Sequence, residues 1–350
     1  MDKKNKSGSG FAGWFAKTSD TNLLLTITIT VFFLMYIGAI VFQGKGFLKA
    51  QTFFNILNAN AALIITSVGL SIVMICGGID ISVGGVVALV SMSCAVYLDF
   101  HDGNIFGAIM IAVGIGLAFG VVQGLLVAYL DIQPFIVTLA GMFFARGMTT
   151  IVHTAPFNVK NEAFVELKDT RVVVPGFGSV NRLGNYVNAY VEIGVLVAIL
   201  VVIVFFVVLR WTRLGRGFYA VGGNSQSALM LGINVRRTKF MSHLICGLLA
   251  GIAGFVYFLH VGSGSASHAS GMEMNAIASS IIGGTLLTGG VGNVIGTLFG
   301  VLSLSTIQNI VSSAGLGQAW WTGITIAGML CLFLVIQSVV MVNKKKLLAK

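Results

Sequence analysis

Charge is what this chain has least of. Asp, Glu, Lys and Arg together make up 9% of its residues, against about 25% in a soluble domain. That shortage excludes a soluble globular fold. Proline is nearly absent, with 3 in 350 residues, so helices can run long without interruption. No GxxxxGK[ST] phosphate-binding loop occurs, so the chain cannot hydrolyse ATP by that route. Its four cysteines (Cys76, Cys94, Cys246 and Cys331) all lie in apolar runs without CxxC or Cys/His spacing. They read as small buried side chains. His153, His243, His260 and His268 are scattered and suggest no metal site.

What the chain does have is apolar length, with 56% of its residues hydrophobic. Several runs reach the roughly 18 to 20 residues that cross a bilayer as a helix. The reading is an all-α, polytopic membrane protein. A β-barrel would alternate in segments of about ten residues instead. Ten segments are expected, near 22–43, 53–76, 81–98, 105–130, 135–153, 188–211, 239–261, 273–289, 291–312 and 319–342. The fifth and eighth are short and broken by glycine, so either is a full span or re-entrant. Forty-five glycines suit closely packed membrane helices.

Basic residues set the expected orientation. Lys3, Lys4, Lys6 and Lys17 precede the first span, Arg210 to Lys239 follow the sixth, and Lys344, Lys345, Lys346 and Lys350 follow the last. Positive residues stay in the cytoplasm. Residues 1–21 therefore read as a cytoplasmic tail before an uncleaved anchor, 22–342 as the membrane domain and 343–350 as a basic cytoplasmic tail. The net charge of +10 is a topology signal. Nucleic-acid binding fits poorly, since the basic residues are split among separate membrane-flanking segments. Residues 154–187 carry mixed charge and two prolines, and read as an outer loop able to dock or gate, or merely connect.

The segment Thr212–Lys239, TRLGRGFYAVGGNSQSALMLGINVRRTK, is too patterned for a linker. After a basic entry, Gly222-Gly223 is expected to form a turn and Asn224 to cap a short helix through Ala228 and Leu229. Gly232 would end it, before Arg236. An apolar face on such a helix suits a groove in a cytoplasmic partner.

This segment resembles the cytoplasmic coupling element, close to GGNxxAAxxSGIxVxxxK, of ABC-importer permeases for simple sugars of the ribose, xylose and galactose type. Three further stretches agree: GGIDISVGG (77–85) with GGIDLSVG, PFIVTLAGMFFARG (134–147) with PxFIxTLGxMxxxRG, and AIASSIIGGTLLTGGVGNVIGTLFGV (276–301) with a glycine-rich segment. The likeness spans roughly residues 50 to 340. LAGMFFARG, GGTLLTGGVG and Trp320-Trp321-Thr322 look most like the galactofuranose-type permeases. The resemblance implies a permease that pairs with itself or with a related permease chain. It also implies a separate ATP-binding subunit that uses ATP and Mg, an extracytoplasmic sugar-binding protein and a monosaccharide substrate. No cofactor is expected on this chain, and its remaining partner is membrane lipid. One departure stands out: where relatives often read ELDAIA, this chain has Glu273-Met274-Asn275-Ala276-Ile277-Ala278.

Within the apolar runs, Asp80 is the conspicuous charge. Glycines 77, 78, 84 and 85 are expected to loosen the chain around it, and Ser82 adds a polar atom. A carboxylate at membrane depth is costly and is usually paired or functional. Three readings stand: a helix cap, an inner gate with Arg146 as its partner, or contact with sugar. Asn58, Gln308 and Glu273 are further path candidates, against interhelical hydrogen bonding as the plainer role. An ion-driven secondary transporter would also explain Asp80, but not the coupling-like loop. A permease for another small polar solute, such as a pentose, a nucleoside or a signalling furanose, would share the mechanism.

Overall fold

The computed structural model describes residues 18–180, 186–316 and 318–348. The two tails lie mostly outside that range. The architecture is mostly helical: α1 (Asp20–Gln43), α2 (Ala50–Ile75), α3 (Val83–Phe100), α4 (Ile105–Ala128) and α5 (Pro134–Val152) precede a mixed segment. That segment holds β1 (Phe157–Asn158), α6 (Glu162–Asp169) and the antiparallel hairpin of β2 (Arg171–Val180) and β3 (Tyr186–Glu192). Then follow α7 (Ile193–Trp211), α8 (Arg213–Gly223), α9 (Ser225–Met230), α10 (Val235–Val261), β4 (Ser263–Gly264), α11 (Met272–Ile282), α12 (Val294–Ser313) and α13 (Ala319–Leu348).

Among the described residues, nine of these helices are long and apolar enough to cross a membrane. The fifth expected segment is one of them, as α5. The eighth is not. Its helix, α11, stops after 11 residues at Gly283, and the chain runs on without helix to Asn293. Gly284, Gly289 and Gly290 there all take positive φ, which only glycine adopts readily. Such backbone is tolerated at membrane depth only when buried in protein or along a watery cavity.

The helix ends follow ordinary capping chemistry. Ser19, Asn104 and Asn234 each accept a first-turn N–H, at α1, α4 and α10. Gly262 closes α10 in the left-handed conformation. Helix α2 is the centre of the bundle, with 89% of its apolar window buried, and packs against α10, α12, α7 and α11. Helices α4 and α10 meet through glycine: a methyl added at Gly116 would lie 2.4 Å from the Gly247 carbonyl oxygen, and one added at Gly247 would lie 2.5 Å from that of Gly116. Close backbone approach of this kind drives helix association in lipid, where apolar burial gives no net drive.

Both ends of the described chain lie on one face. Lys344, near the end of α13, bonds Asp20 and the Thr18 carbonyl at the start of α1. The same end of α1 shares a cavity with Arg210, Arg216 and Tyr219 around α8. On the opposite face β1 pairs with β4, and Phe164 of α6 stacks on Phe258 of α10 at 4.3 Å. The segment from β1 to β3 is thus pinned to the bundle.

Candidate coupling and translocation site

Three groups of residues carry the candidate chemistry. The first joins the Thr212–Lys239 segment to the membrane domain. Thr212 caps α8 by accepting from the Gly215 N–H at 3.1 Å. Gly222 and Gly223 are the last turn of α8, not the turn expected from their sequence. Gly222 lies directly on the end of α2, where a methyl group would stand 1.8 Å from the Ile75 carbonyl oxygen. That same oxygen accepts the Gly290 N–H at 2.9 Å. Gly289 abuts Gly77 and Gly222, and Gly290 abuts Gly223. Tyr219 completes the joint by donating to the Gly292 carbonyl at 2.9 Å. Burial pushes its hydroxyl up to about 12, although Arg210 draws it the other way. It therefore remains a neutral donor at neutral pH. The end of α8 thus rests on two breaks of membrane-embedded backbone, 76–82 and 283–293.

Asn224 caps α9, accepting from the Ser227 N–H at 2.9 Å, and Gly232 ends it at φ +81. Ala228 is the buried residue of α9. Leu229, Met230 and Leu231 stand bare, 63%, 88% and 80% exposed. Beside them a groove of 650 Å³ runs past Gly232, Arg236 and Lys239 to Asp131. The segment therefore presents two helices, α8 turned inward and α9 turned outward.

The second group surrounds Asp80, which is 1% exposed. One carboxylate oxygen accepts from the Ser82 N–H at 2.9 Å and its hydroxyl at 2.6 Å. Ser82 bonds Gln123 at 3.2 Å as well. The expected partner is corrected here: Arg146 is held elsewhere, by Glu273.

That pair is the third group. Arg146 approaches Glu273 at 3.8 Å and donates to the His268 and Ala269 carbonyls at 2.6 and 2.8 Å. It thereby clamps the approach to α11, in which Ala269 holds φ +52. The buried Glu273 Oε2 has no hydrogen-bond partner among the described residues. A methyl group on Gly84 would meet that oxygen at 1.9 Å, and one on Gly85 would meet the Met142 carbonyl oxygen at 3.0 Å. The glycines after Asp80 are therefore contact surfaces for α11 and α5 rather than points of looseness.

The remaining candidates scatter. Asn58 accepts the Glu192 N–H at 2.9 Å and fixes the start of α7. Gln308 is half-buried on α12, away from the three groups. Sequence reasoning missed Tyr219, Gly289 and a buried hydroxyl cluster in which Ser71 contacts Ser280 at 3.0 Å and Thr297 at 2.7 Å. That cluster joins three helices, so no local spacing could disclose it.

Comparison with known proteins agrees with this architecture. Residues 52–334 match the family described as branched-chain amino acid transport system / permease component. The chain is 38% identical over 316 residues to the inner membrane ABC transporter permease protein YjfF of Escherichia coli K12, covering 90% of this chain and 92% of that one. It is 35% identical to the fructose import permease protein FruG of Bifidobacterium longum, covering 81% of each chain. It is also 34% identical to the ribose import permease protein RbsC of E. coli K12, covering 81% of this chain and 85% of that one. No solved structure matches significantly. A bundle of membrane-spanning helices, with its exposed short helix and these relatives, makes the chain a member of the ABC importer permease family that includes the sugar import permeases.

Proposed function

We propose that this chain is the translocating subunit of a binding-protein-dependent importer, carrying a monosaccharide inward on energy from a separate ATP-binding subunit. The observation that carries the reading is the seat of Gly222 on Ile75 and Gly290. It connects the cytoplasm-facing segment to two backbone breaks inside the membrane domain. In this reading the bare Leu229 and Met230 of α9, with Leu231 just after it, enter a groove in the ATP-binding subunit, the helix-in-groove mode. ATP-driven closure of that subunit displaces α8, and α8 shifts residues 76–82 and 283–293 together. The face bearing α8, α9 and both chain ends is cytoplasmic, since it carries the basic residues.

Asp80, Ser82 and Gln123 then form an inner gate beside the moving break, while Arg146 and Glu273 border the path farther out. Glu273 Oε2 has no hydrogen-bond partner among the described residues but lies buried against Gly84 and beside Arg146, so a sugar hydroxyl reaches it only when that pair moves. A second permease chain completes the pathway, and an outer sugar-binding protein docks on the face of β1 to β3. The substrate favoured is a furanose sugar, on the likeness of LAGMFFARG and GGTLLTGGVG to galactofuranose-type permeases.

Co-purification from mild detergent tests the docking. The wild-type chain is expected to bring down an ATPase and a solute-binding protein, and Leu229→Glu is expected to lose the ATPase alone. A chain that emerges unaccompanied, with uptake that needs no ATP, would refute the importer reading. Calorimetry of the recovered binding protein against hexoses and pentoses then decides the sugar.

A further inference from the structure

A cavity of 520 Å³ opens where α1, α7, α8 and α12 meet on the face assigned above to the cytoplasm. Phe206 and Leu209 of α7 and Val294 of α12 supply its apolar lining, with Leu209 and Val294 largely buried in the core. Arg210, Trp211, Arg216 and Tyr219 line it as well. Trp211 is 61% exposed and packs edge-on to Phe206 at 5.7 Å, the placement of an indole at a membrane–water boundary.

No acidic side chain lines the cavity. The nearest carboxylate on α1, Asp20, is occupied by Lys344. Among the described residues neither Arg210 nor Arg216 has a carboxylate in ion-pair range, and Arg216 bonds only the Trp211 carbonyl, at 3.3 Å. Charge bias alone would place arginines on this face. It would not gather two unpaired guanidiniums, an indole and an apolar wall around one concavity. Guanidinium groups present planar forks that fit a phosphate, and the packed rings of Phe206 and Trp211 offer apolar surface to an acyl chain.

We infer that this cavity binds the headgroup phosphate of an anionic phospholipid from the inner leaflet, with Arg210 and Arg216 on the phosphate and an acyl chain along Phe206 and Trp211. The bound lipid touches α8 through Arg216 and Tyr219, on the same helix stripe that seats Gly222 on Ile75. Lipid occupancy would therefore set the resting position of the coupling joint. The inference does not depend on which solute is carried.

Native mass spectrometry of the full chain, released from vesicles of mixed phosphatidylglycerol and phosphatidylcholine, tests it. The wild type is expected to retain phosphatidylglycerol selectively. Arg210→Gln with Arg216→Gln should cut that retention about thirty-fold, on the usual strength of two basic residues at an anionic surface. The double lysine variant should keep most of it, which separates lost charge from lost folding. Arg236→Gln with Arg237→Gln removes equal charge outside the cavity and should retain lipid like the wild type. Adding millimolar inorganic phosphate should not displace the lipid. Equal retention by the double glutamine variant, equal loss in the Arg236/Arg237 pair, or displacement by free phosphate would each overturn the assignment.

Discussion

Gly222 and Gly84 are crowded to nearly the same degree and by different things. A methyl group on Gly222 would lie 1.8 Å from the backbone carbonyl oxygen of Ile75, and one on Gly84 would lie 1.9 Å from a side-chain oxygen of Glu273. The first neighbour is fixed by the end of a helix and by its bond to Gly290. The second sits at the tip of a side chain that can turn, held by one ion pair at 3.8 Å. Backbone seated on backbone passes a displacement on without slack. A side-chain contact absorbs part of it. On the proposed coupling reading, the Gly222 joint transmits motion and the Arg146–Glu273 pair is rearranged by it.

The largest effect is expected at Gly222. Gly222→Ala must push the Ile75 end of α2 or the Gly290 turn, and overpacking of this sort typically costs about 1–3 kcal/mol. In reconstituted complexes it should leave ATP hydrolysis running while sugar uptake falls by roughly 100-fold, taking the top of that range. Gly223→Ala is the matched control, because its methyl group meets nothing within 4 Å, and uptake should stay near the wild-type rate.

Gly84→Ala should do less. It swings Glu273 off Arg146 at a cost of about 1 kcal/mol, giving roughly a five-fold loss of uptake. Combined with Glu273→Gln the two losses should not add, since both break the same contact. Full additivity would show that Gly84 acts through something else. Smaller again, Tyr219→Phe removes the one hydrogen bond to Gly292 and should lower stability by about 1 kcal/mol, read as a small drop in thermal midpoint. Asp80→Asn should be nearly silent in stability, because an amide oxygen accepts the two Ser82 donors as well. Asp80→Ala loses both and should slow uptake several-fold. Unchanged transport in both variants would remove Asp80 from the gate.

Much of this was legible along the chain, and the boundary is physical. Nine spans follow from apolar length alone, and the Asn224 cap and Gly232 stop follow from local helix chemistry. For residues 273–289 the glycines left a full span and a re-entrant segment both open, and only the structure shows the helix ending at Ile282. What holds that loop open is the bond from Gly290 to Ile75, 215 residues away in sequence. The role of Gly84 was misjudged for the same reason. A glycine beside an acid reads as looseness until Glu273 is placed against it. Arg146 was assigned to the wrong carboxylate because sequence shows which charges need partners and not which helices bring them together.

The central claim is that α8, α9 and the 283–293 loop move as one body. Pulsed electron–electron distances would test it directly, between labels at Met230 and Leu287 and between Leu287 and Phe106. Met230 and Phe106 are 88% and 72% exposed and Leu287 is 43% exposed, and the exposed Cys331 must first be replaced. On ATP binding the Met230–Leu287 distance should hold while Leu287–Phe106 changes. A Met230–Leu287 distance that shifts against a constant Leu287–Phe106 distance would mean that the joint slips, and the account of coupling would be wrong.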